Sequence, residues 1–284
     1  MADINSANSR FIRKFISSRV AVVGLFLVLF IVFISIFGNS ITGHNSTDVS
    51  TKETFSAPSA TYIFGTDNLG RDLFSRICSG TGLTLIVSIC SVLIAVVFGT
   101  SLGLLGGYFG GKLDIIISGF MDSLWAFPAL ILAMAITSIL GPSLRNIFMA
   151  IGIIYIPVFC RLVRSVVLSI RETEYVMGAR AIGLNDLEII IKYVLPNAIP
   201  PIIVQTTLSA AQAVIAEASL SFLGLGVQAP AASLGSLLKT GYPYLSRAPW
   251  LSIYPGIAIM ILVLGLNFLG DGLRDAQDVR LRAD

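Results

Sequence analysis

The chain has 284 residues, of which 55% are hydrophobic and only 12% are charged, and its formal net charge is +3. Because a soluble domain carries about 25% charged residues, this composition excludes a soluble protein and predicts an all-α integral membrane protein, in agreement with a mean hydropathy of +0.86. The scattered cysteines Cys78, Cys90 and Cys160 indicate neither a zinc site nor a disulfide framework, and the sole histidine, His44, excludes a histidine-cluster metal centre within the chain.

The first predicted span follows a basic N-terminal tail. Residues 1–19 are polar and include Arg10, Arg13, Lys14 and Arg19. Residues 20–37 form an uncharged apolar run that is just long enough to cross a bilayer. A cleaved signal peptide is the alternative, but no Ala-x-Ala-like site follows, so we interpret the run as a retained helix.

A polar loop, residues 38–79, comes next and is expected outside the cytoplasm. It contains Gly65-Thr66-Asp67-Asn68-Leu69-Gly70-Arg71-Asp72. Glycines that flank Asp and Arg predict a structured turn with internal pairing.

The second span is predicted over residues 83–105. Gly99, Gly103 and Gly107 recur every four residues, a spacing that lets helix backbones approach closely in lipid. The string from Gly106 to Leu113 fits part of a P-loop pattern, but Leu113 stands where that motif needs Ser or Thr, and the string follows a membrane helix instead of a β-strand. A tight cytoplasmic turn is therefore predicted there, and not a nucleotide site.

Two more spans are predicted over residues 123–140 and 146–168. Pro128 lies near the start of the third and Pro157 lies inside the fourth. Arg161 and Arg164, near the end of the fourth, are expected to snorkel to the cytoplasmic surface.

A charged interruption, the segment Arg171–Asn197, is predicted to form two short amphipathic helices outside the bilayer. Thr173 is expected to cap the first helix and Gly183 to end it, while Asn185 and Glu188 predict a capping box for the second. The apolar residues at helical spacing in the first helix are Tyr175, Val176, Ala179 and Ile182. Those predicted to line one face of the second helix are Leu187, Ile190, Ile191 and Val194. Pro196 is predicted to close the segment. Gly178 and Ala179 leave a patch with almost no side chain, where the backbone of a partner could approach. The alternative is an ordinary surface loop.

The fifth span is predicted over residues 198–223 and the last over residues 250–270. Glu217 lies late in the fifth span, and a carboxylate inside a membrane is by default a functional candidate. The alternative places it near the outer interface in a local pair. Residues 227–249, rich in Pro, Gly, Ala and Ser, predict an outer loop or re-entrant segment.

Charge asymmetry predicts the orientation. With six spans, thirteen of the 19 lysines and arginines fall in the predicted cytoplasmic parts, so both termini are expected in the cytoplasm.

Four motifs together resemble one family, the permease subunits of ATP-binding-cassette (ABC) importers, in the branch of second permeases for dipeptides, oligopeptides and nickel. These motifs are Gly65–Asp72, the segment from Tyr175 to Pro196, Ser221–Gly226 and Asn267–Asp275. The family's coupling loop reads Glu-Ala-Ala, three residues, Gly, nine residues, Ile-x-Leu-Pro. In this chain the corresponding residues are Met177, Gly178, Ala179, Gly183, Tyr193, Leu195 and Pro196, and the departures are Met177 for Glu, Gly178 for Ala and Tyr193 for Ile. Leu234 and Val279 also replace the Trp and Pro that are usual in the family.

The resemblance implies a type I ABC-importer permease fold, with a type-1 transmembrane domain over residues 80–271 and a cytoplasmic tail over residues 272–284. It implies that Arg171–Asn197 is the coupling loop, with Tyr175, Met177, Gly178, Ala179, Arg180, Gly183, Leu195 and Pro196 as contact residues for an ATPase. The implied partners are a second permease, two ATPase subunits and an extracytoplasmic binding protein, in a bacterial or archaeal plasma membrane. No cofactor, metal or nucleic acid is expected.

The leading interpretation is therefore a permease for dipeptides or oligopeptides that is not itself an enzyme, with nickel and glutathione as alternative cargoes. An ion-coupled secondary transporter would carry several intramembrane acids, whereas Glu217 is the one strong candidate here. A membrane enzyme would need a nucleophile, a base and an orienting group, and no such set is present in the sequence.

Overall fold

A computed structural model of the chain describes residues 12–277, which are helical apart from loops and one isolated bridge between Thr66 and Asp72. Residues 12–17 are also helical, ahead of the first numbered helix. The helices are α1 (Arg19–Thr42), α2 (Leu73–Phe109), α3 (Gly111–Trp125), α4 (Ala129–Leu140), α5 (Leu144–Ile170), α6 (Glu174–Ala181), α7 (Asp186–Ile189), α8 (Leu195–Phe222), α9 (Leu234–Gly241) and α10 (Trp250–Gln277), with a π-helical turn at Ile190–Val194 and a 3₁₀ turn at Tyr242–Tyr244.

Five helices in this part of the chain are long and apolar enough to cross a membrane. They are Arg19–Gly38 of α1, then α2, α5, the continuous stretch Asp186–Phe222, and α10. The all-α membrane architecture expected from composition is thus confirmed. Most observed helices extend beyond the predicted apolar runs because capped, more polar turns continue them.

The third predicted span, residues 123–140, is instead a bent pair of helices. Helices α3 and α4 meet at 90°, and they provide a sixth span if they are counted together. The break falls at Pro128, which lacks an N–H and disfavours helical geometry in the residue before it. With 12 residues, α4 is about 18 Å long and cannot cross a bilayer of about 30 Å alone.

Glycines at four-residue spacing pack α2 directly against α5, and the close helix contact predicted from that spacing is confirmed. A Cβ atom at Gly99 would lie 2.6 Å from the Cβ of Phe159, and one at Gly103 would lie 2.6 Å from the carbonyl oxygen of Cys160. The backbones of the two helices are therefore in direct contact over two turns. Gly107 continues the row against Val167, so it belongs to α2, and the tight turn lies farther on at Gly110.

The loop between α1 and α2 forms an ordered cap on the N-terminal end of α2. Asp67 accepts hydrogen bonds from the backbone N–H groups of Leu69 (2.8 Å) and Arg71 (3.0 Å), and its side chain pairs with the Arg71 guanidinium at 2.7 Å. Asp72 caps α2 by accepting from the N–H of Ser75 at 2.8 Å. The predicted turn with internal pairing is confirmed, and the cap starts α2 ten residues before the predicted span.

Candidate functional site

The first helix of the segment Arg171–Asn197 is α6, and it ends as predicted. Gly183 adopts a φ of +85°, which favours glycine. The N–H of Gly183 donates to the carbonyl of Arg180 at 3.0 Å, and that of Leu184 donates to the carbonyl of Ala179 at 3.2 Å. This is the Schellman arrangement that ends a helix and turns the chain.

The predicted caps are present in part. Thr173 stands at the N-cap of α6, but its hydroxyl donates back to the carbonyl of Ile170 at 2.6 Å and makes no cap bond. Asn185 accepts a hydrogen bond from the N–H of Glu188 at 2.8 Å, as expected for the second helix. The carboxylate of Glu188 pairs with Lys192 one turn later, so the reciprocal half of the predicted box is missing.

Pro196 does not close the segment, contrary to the prediction. Helix α7 continues through the π turn into α8, so that one helical stretch runs from Asp186 to Phe222. In the π turn the N–H of Leu195 bonds to the carbonyl of Ile190, five residues back. This widened turn directly before Pro196 lets its ring enter the helix without the usual clash with the preceding turn.

The segment buries one face and exposes another. Its buried residues join the main apolar core, and they are Val176, Ala179, Ile189, Ile190 and Val194. A second set of large side chains is 47–76% exposed, and we call this set the apolar patch: Tyr175 (47% exposed), Met177 (52%), Ile182 (76%), Leu187 (67%) and Ile191 (53%). The prediction that each set shares one face was therefore wrong, because each set is divided between the buried and the exposed side. The exposed members are Tyr175, Ile182, Leu187 and Ile191, and the buried members are Val176, Ala179, Ile190 and Val194.

Charged side chains surround the apolar patch, which distinguishes it from the lipid-facing surfaces of the spans. Glu174, Arg180, Asp186 and Lys192 are all exposed around it. A patch that combines exposed apolar and charged groups is typical of a protein–protein contact.

Gly178 lies on α6 with open space where a side chain would be. A Cβ atom built there meets no atom within 4 Å. The fold of the chain itself therefore does not require glycine at this position. Leu195 is half-buried and Pro196 exposed at the far end of the segment, where the side chain of Asn197 donates to the carbonyl of Tyr193 at 2.7 Å.

Tyr108, near the last turn of α2, ties the segment to the helix core. Its side chain is buried, and its hydroxyl donates to the carboxylate of Asp186 at 2.7 Å. The guanidinium of Arg180 lies over the Tyr108 ring, 4.9 Å from its centroid. Arg171 adds a hydrogen bond of 2.9 Å to the carbonyl of Gly107. Both helical parts of the segment are thus fastened to the same end of α2.

Arg161 and Arg164, which we expect at the cytoplasmic surface, pair with acidic residues of α3. The Arg164 guanidinium holds Asp114 through two bonds of 2.5 Å and 2.7 Å. Arg161 bonds to Asp122 at 2.7 Å and lies over the Trp125 ring at 4.6 Å. Helix α3 is therefore attached to α5 by charge pairs, and α5 in turn leads into the segment.

A cavity of about 540 Å³ lies beside the bend between α3 and α4. One wall is apolar and includes Trp125, Phe127 and Val158. The opposite wall carries a polar stripe formed by Gln205, Ser209 and Gln212 of α8 with Asn267 of α10. Gln205 donates to Ser209 at 3.1 Å, so the stripe forms part of a hydrogen-bonded edge of the cavity.

Sequence reasoning missed this stripe. Its signal is the spacing of residues 205, 209 and 212, which places three polar side chains on one face of an otherwise apolar helix. Glu217, the predicted pathway candidate, does not line the cavity.

Glu217 is fully buried between helices near the other end of α8. Its two carboxyl oxygens accept hydrogen bonds from the hydroxyls of Thr84 (2.8 Å) and Ser221 (2.6 Å). Thr84 also accepts a bond of 3.3 Å from the N–H of Leu234. This arrangement joins α2, α8 and α9, which is the local pairing that the sequence left open.

Two family profiles match the chain. Residues 95–283 match the family described as binding-protein-dependent transport system inner membrane component. Residues 6–58 match the N-terminal TM domain of oligopeptide transport permease C.

Individual relatives and a solved structure are similar to this chain over most of its length. The dipeptide transport system permease protein DppC of Alkalihalophilus pseudofirmus is 44% identical over 266 residues, which cover 94% of this chain and 88% of that protein. The glutathione transport system permease protein GsiD of Pectobacterium atrosepticum is 38% identical over 274 residues, 96% of this chain and 91% of that protein. Among solved structures, the inward-facing MetNI methionine ABC transporter superposes with a TM-score of 0.57 at 23% identity, over 70% of this chain and 94% of the matched chain, which shows a shared fold.

Proposed function

This chain belongs to the family of binding-protein-dependent transport system inner membrane components, and from that premise we propose that it is a permease subunit of an ABC importer for dipeptides or oligopeptides. Relatives named for dipeptide transport support the peptide cargo, with 44% identity for one and 37% for the protein of Haemophilus influenzae. As a permease, the chain provides a passage and no chemistry. ATP hydrolysis belongs to separate subunits in this proposal.

The observation that carries the proposal is the construction of the segment Arg171–Asn197. It exposes the apolar patch and, through Tyr108 and Asp186, is fastened to a long membrane helix. A surface loop without a partner would gain nothing from exposing five large side chains at its tip. Docking of an ATPase on this patch explains both the exposure and the anchoring.

Gly178 supports the same assignment. The chain leaves open space around it, so the missing side chain favours close approach by a partner instead of internal packing. The contact residues proposed are Tyr175, Met177, Gly178, Arg180 and Ile182, whereas Ala179 is buried and Gly183 shapes the turn. Leu195 and Pro196 position the start of α8.

In this proposal, transport follows when α2 and α5, which are packed together, tilt with the segment that the ATPase moves. A force on α6 reaches α2 through Tyr108, and α2 carries α5 with it because their backbones touch at Gly99 and Gly103. Interlocked helices move as rigid bodies and do not deform continuously. ATP binding that draws two ATPase subunits together would thereby change the side on which the passage opens.

The cavity beside the α3–α4 bend is the proposed share of this subunit in the passage. Its polar stripe offers amide and hydroxyl groups but, among the residues that line it, no charged side chain. Neutral hydrogen-bonding groups suit a passage that accepts peptides of varied sequence. Selection among cargoes would then depend mainly on the binding protein.

The proposed assembly contains a second, different permease, two ATPase subunits and an extracytoplasmic binding protein in a plasma membrane. The excess of basic residues around the segment and at the termini supports cytoplasmic termini. The outer loop and α9 then face the binding protein.

A transport assay tests the cargo. The complex purified through this chain is reconstituted with its binding protein, and uptake of a labelled dipeptide, glutathione and Ni²⁺ is compared. The proposal predicts ATP-dependent uptake of the dipeptide. Glutathione is the second candidate because a glutathione permease is 38% identical, and ATP-dependent uptake of glutathione alone would replace the peptide assignment.

A further inference from the structure

The outer end of the molecule contains a second cavity, of about 370 Å³, that the proposed passage does not use. It lies between the turn at Gly65–Asp72, the loop after α8, and α9. Three basic side chains line it, Arg71, Arg76 and Lys239, together with Asn68 and Gln228. No aspartate or glutamate is among the residues that line it.

Behind the cavity, two buried arginines face one aspartate. Arg71 and Arg76 are 9% and 5% exposed, and buried arginines are normally paired. Both lie against one carboxylate, Asp67, at 2.7 Å and 3.4 Å. Asp72, the nearest other acid in the sequence, uses one oxygen to cap α2 and makes no ion pair with either arginine. Two buried guanidinium groups therefore share a single counterion.

Donor groups remain unused on the cavity side. Arg71 bonds to Asp67 through its Nε atom, which leaves the two terminal nitrogens of its guanidinium without a hydrogen bond in the described structure. Arg76 uses one terminal nitrogen on the carbonyl of Ser46 at 3.1 Å, and its Nε faces Asp67 at 3.4 Å, so its other terminal nitrogen is the donor that remains. A planar guanidinium with free N–H groups is suited to a carboxylate, which it can hold through two parallel bonds.

Lys239 completes the positive wall. Its Nζ atom lies over Gly224, where a Cβ atom would be only 2.4 Å from the ammonium group. Gly224 has a φ of +91°, so glycine is needed there both for the backbone and for the space that the lysine occupies. Lys239 makes no ion pair with any acid of residues 12–277.

Asn68 adds an acceptor to these donors. Its Oδ1 atom is buried and has no hydrogen-bond partner. A carboxylate that carries a neighbouring N–H group, as the last residue of a peptide does, could satisfy the guanidinium groups and the Asn68 oxygen together.

We propose that this outer cavity, lined by Arg71, Arg76 and Lys239, is a binding site for a carboxylate that arrives from the extracytoplasmic side. The inference rests on the proposed function for its orientation and for the supply of such groups. The carboxylate has two sources, the free C-terminus of a peptide or an acidic side chain of the docked binding protein. A peptide carboxylate would be held there before the peptide reaches the passage, whereas a side chain of the binding protein would be held there as a docking contact.

Binding measurements on the intact complex in lipid nanodiscs test this site. The probe is radiolabelled trialanine, without binding protein, in competition with unlabelled trialanine and with trialanine amide, which lacks the carboxylate. We expect the acid to compete at least tenfold better than the amide. Lys239→Glu should weaken trialanine binding about tenfold, and Lys239→Gln should weaken it less. Lys52→Gln is the control: it removes an exposed charge from the loop between α1 and α2, outside the cavity, and should have no effect.

A second arm identifies the source. The affinity of the binding protein for the same nanodiscs is measured with wild type, Lys239→Glu and Lys52→Gln. Weakening by Lys239→Glu in this arm, without trialanine binding in the first, assigns the site to an acidic side chain of the binding protein. If Lys239→Glu changes neither affinity, or if acid and amide compete equally and binding-protein affinity is unchanged, the site is overturned. Dipeptide uptake by the wild-type complex tests the proposed function separately, because a failed carboxylate site does not abolish ATP-driven uptake.

Discussion

The hydroxyl of Tyr108 donates a hydrogen bond of 2.7 Å to Asp186, and this bond joins the end of a membrane helix to the start of the second helix of the Arg171–Asn197 segment. The two residues are 78 positions apart in the chain. A hydrogen bond to a charged acceptor contributes roughly 1.5–3 kcal/mol, and the Arg180 guanidinium over the same ring adds about 0.5–1 kcal/mol. In the proposed mechanism, a load applied to the segment reaches α2 at this point.

Tyr108→Phe should loosen that transmission without unfolding the protein. The ring remains for packing and for Arg180, but the hydrogen bond to Asp186 is lost. We expect the amount of peptide transported per ATP hydrolysed to fall several-fold, while membrane insertion and basal hydrolysis remain. Tyr242→Phe is the control, because Tyr242 is 62% exposed and lies in the 3₁₀ turn after α9, away from the segment. An unchanged transport-to-hydrolysis ratio in Tyr108→Phe would contradict the proposed role of this bond.

Gly178→Leu tests the docking surface more cleanly than a substitution at Gly183. A Cβ atom at Gly178 meets no atom of this chain within 4 Å, and leucine favours the helix relative to glycine by roughly 0.5–1 kcal/mol. We expect the protein to insert normally but to lose co-purification with its ATPase. Gly183 has a φ of +85°, so a side chain there would strain the turn whatever binds it.

The matched control for this substitution is Gly119→Leu. Gly119 is also an exposed helical glycine with open space around it, but it lies on α3 away from the segment. ATPase recovery should be normal for this variant. Equal recovery from the Gly178→Leu and wild-type proteins would remove Gly178 from the docking surface.

Gly103→Ala should destabilise the helix pair that transmits the motion. The added Cβ would lie 2.6 Å from the carbonyl oxygen of Cys160 and 2.9 Å from the Cβ of Val163, both fixed atoms. Forcing one carbon into such a contact costs typically 1–3 kcal/mol. The thermal unfolding temperature in detergent should fall, whereas Gly119→Ala should leave it unchanged or slightly raised. A Gly103→Ala protein as stable as wild type would show that α2 and α5 are not packed backbone to backbone.

Glu217 and Gln212 should affect different properties. Glu217→Ala removes the acceptor of two buried hydroxyls, so the protein should lose roughly 1–3 kcal/mol of stability. The KM for peptide should not change, because Glu217 lies outside the cavity. Gln212→Ala, on the exposed polar stripe, should change the KM or maximal rate of transport with little effect on thermal unfolding. The reverse pattern would restore Glu217 as the pathway residue.

Much of the fold could be predicted from local signals. Uncharged runs located the long helices, the spacing of Gly99, Gly103 and Gly107 predicted a close helix contact without identifying α5 as the partner, and Gly183 marked the end of α6. Local chemistry decides these features, since apolar length sets spans and only glycine easily adopts the conformation at Gly183.

The remaining features depend on contacts between distant parts of the chain. Pro196 suggested an end because proline usually ends a helix, but the π turn before it lets the helix continue. Pro128 lies near the start of the third predicted span, but the sequence predicted one continuous helix there and not the 90° break between α3 and α4. The exposure of Leu187 and Ile191 depends on which side of the segment meets the core, and the Tyr108–Asp186 bond crosses 78 residues. Neither this exposure nor this hydrogen bond can be predicted from a local sequence pattern.

The most direct test of the account is ATP hydrolysis by the complex purified through this chain. The complex is reconstituted in lipid and assayed with its binding protein, alone and loaded with dipeptide. We predict that an ATPase and a second permease co-purify, that dipeptide-loaded binding protein stimulates hydrolysis several-fold, and that Gly178→Leu abolishes this stimulation while Gly119→Leu does not. If no ATPase associates with the wild-type chain, the segment Arg171–Asn197 is only a surface loop, and the proposed importer mechanism is wrong.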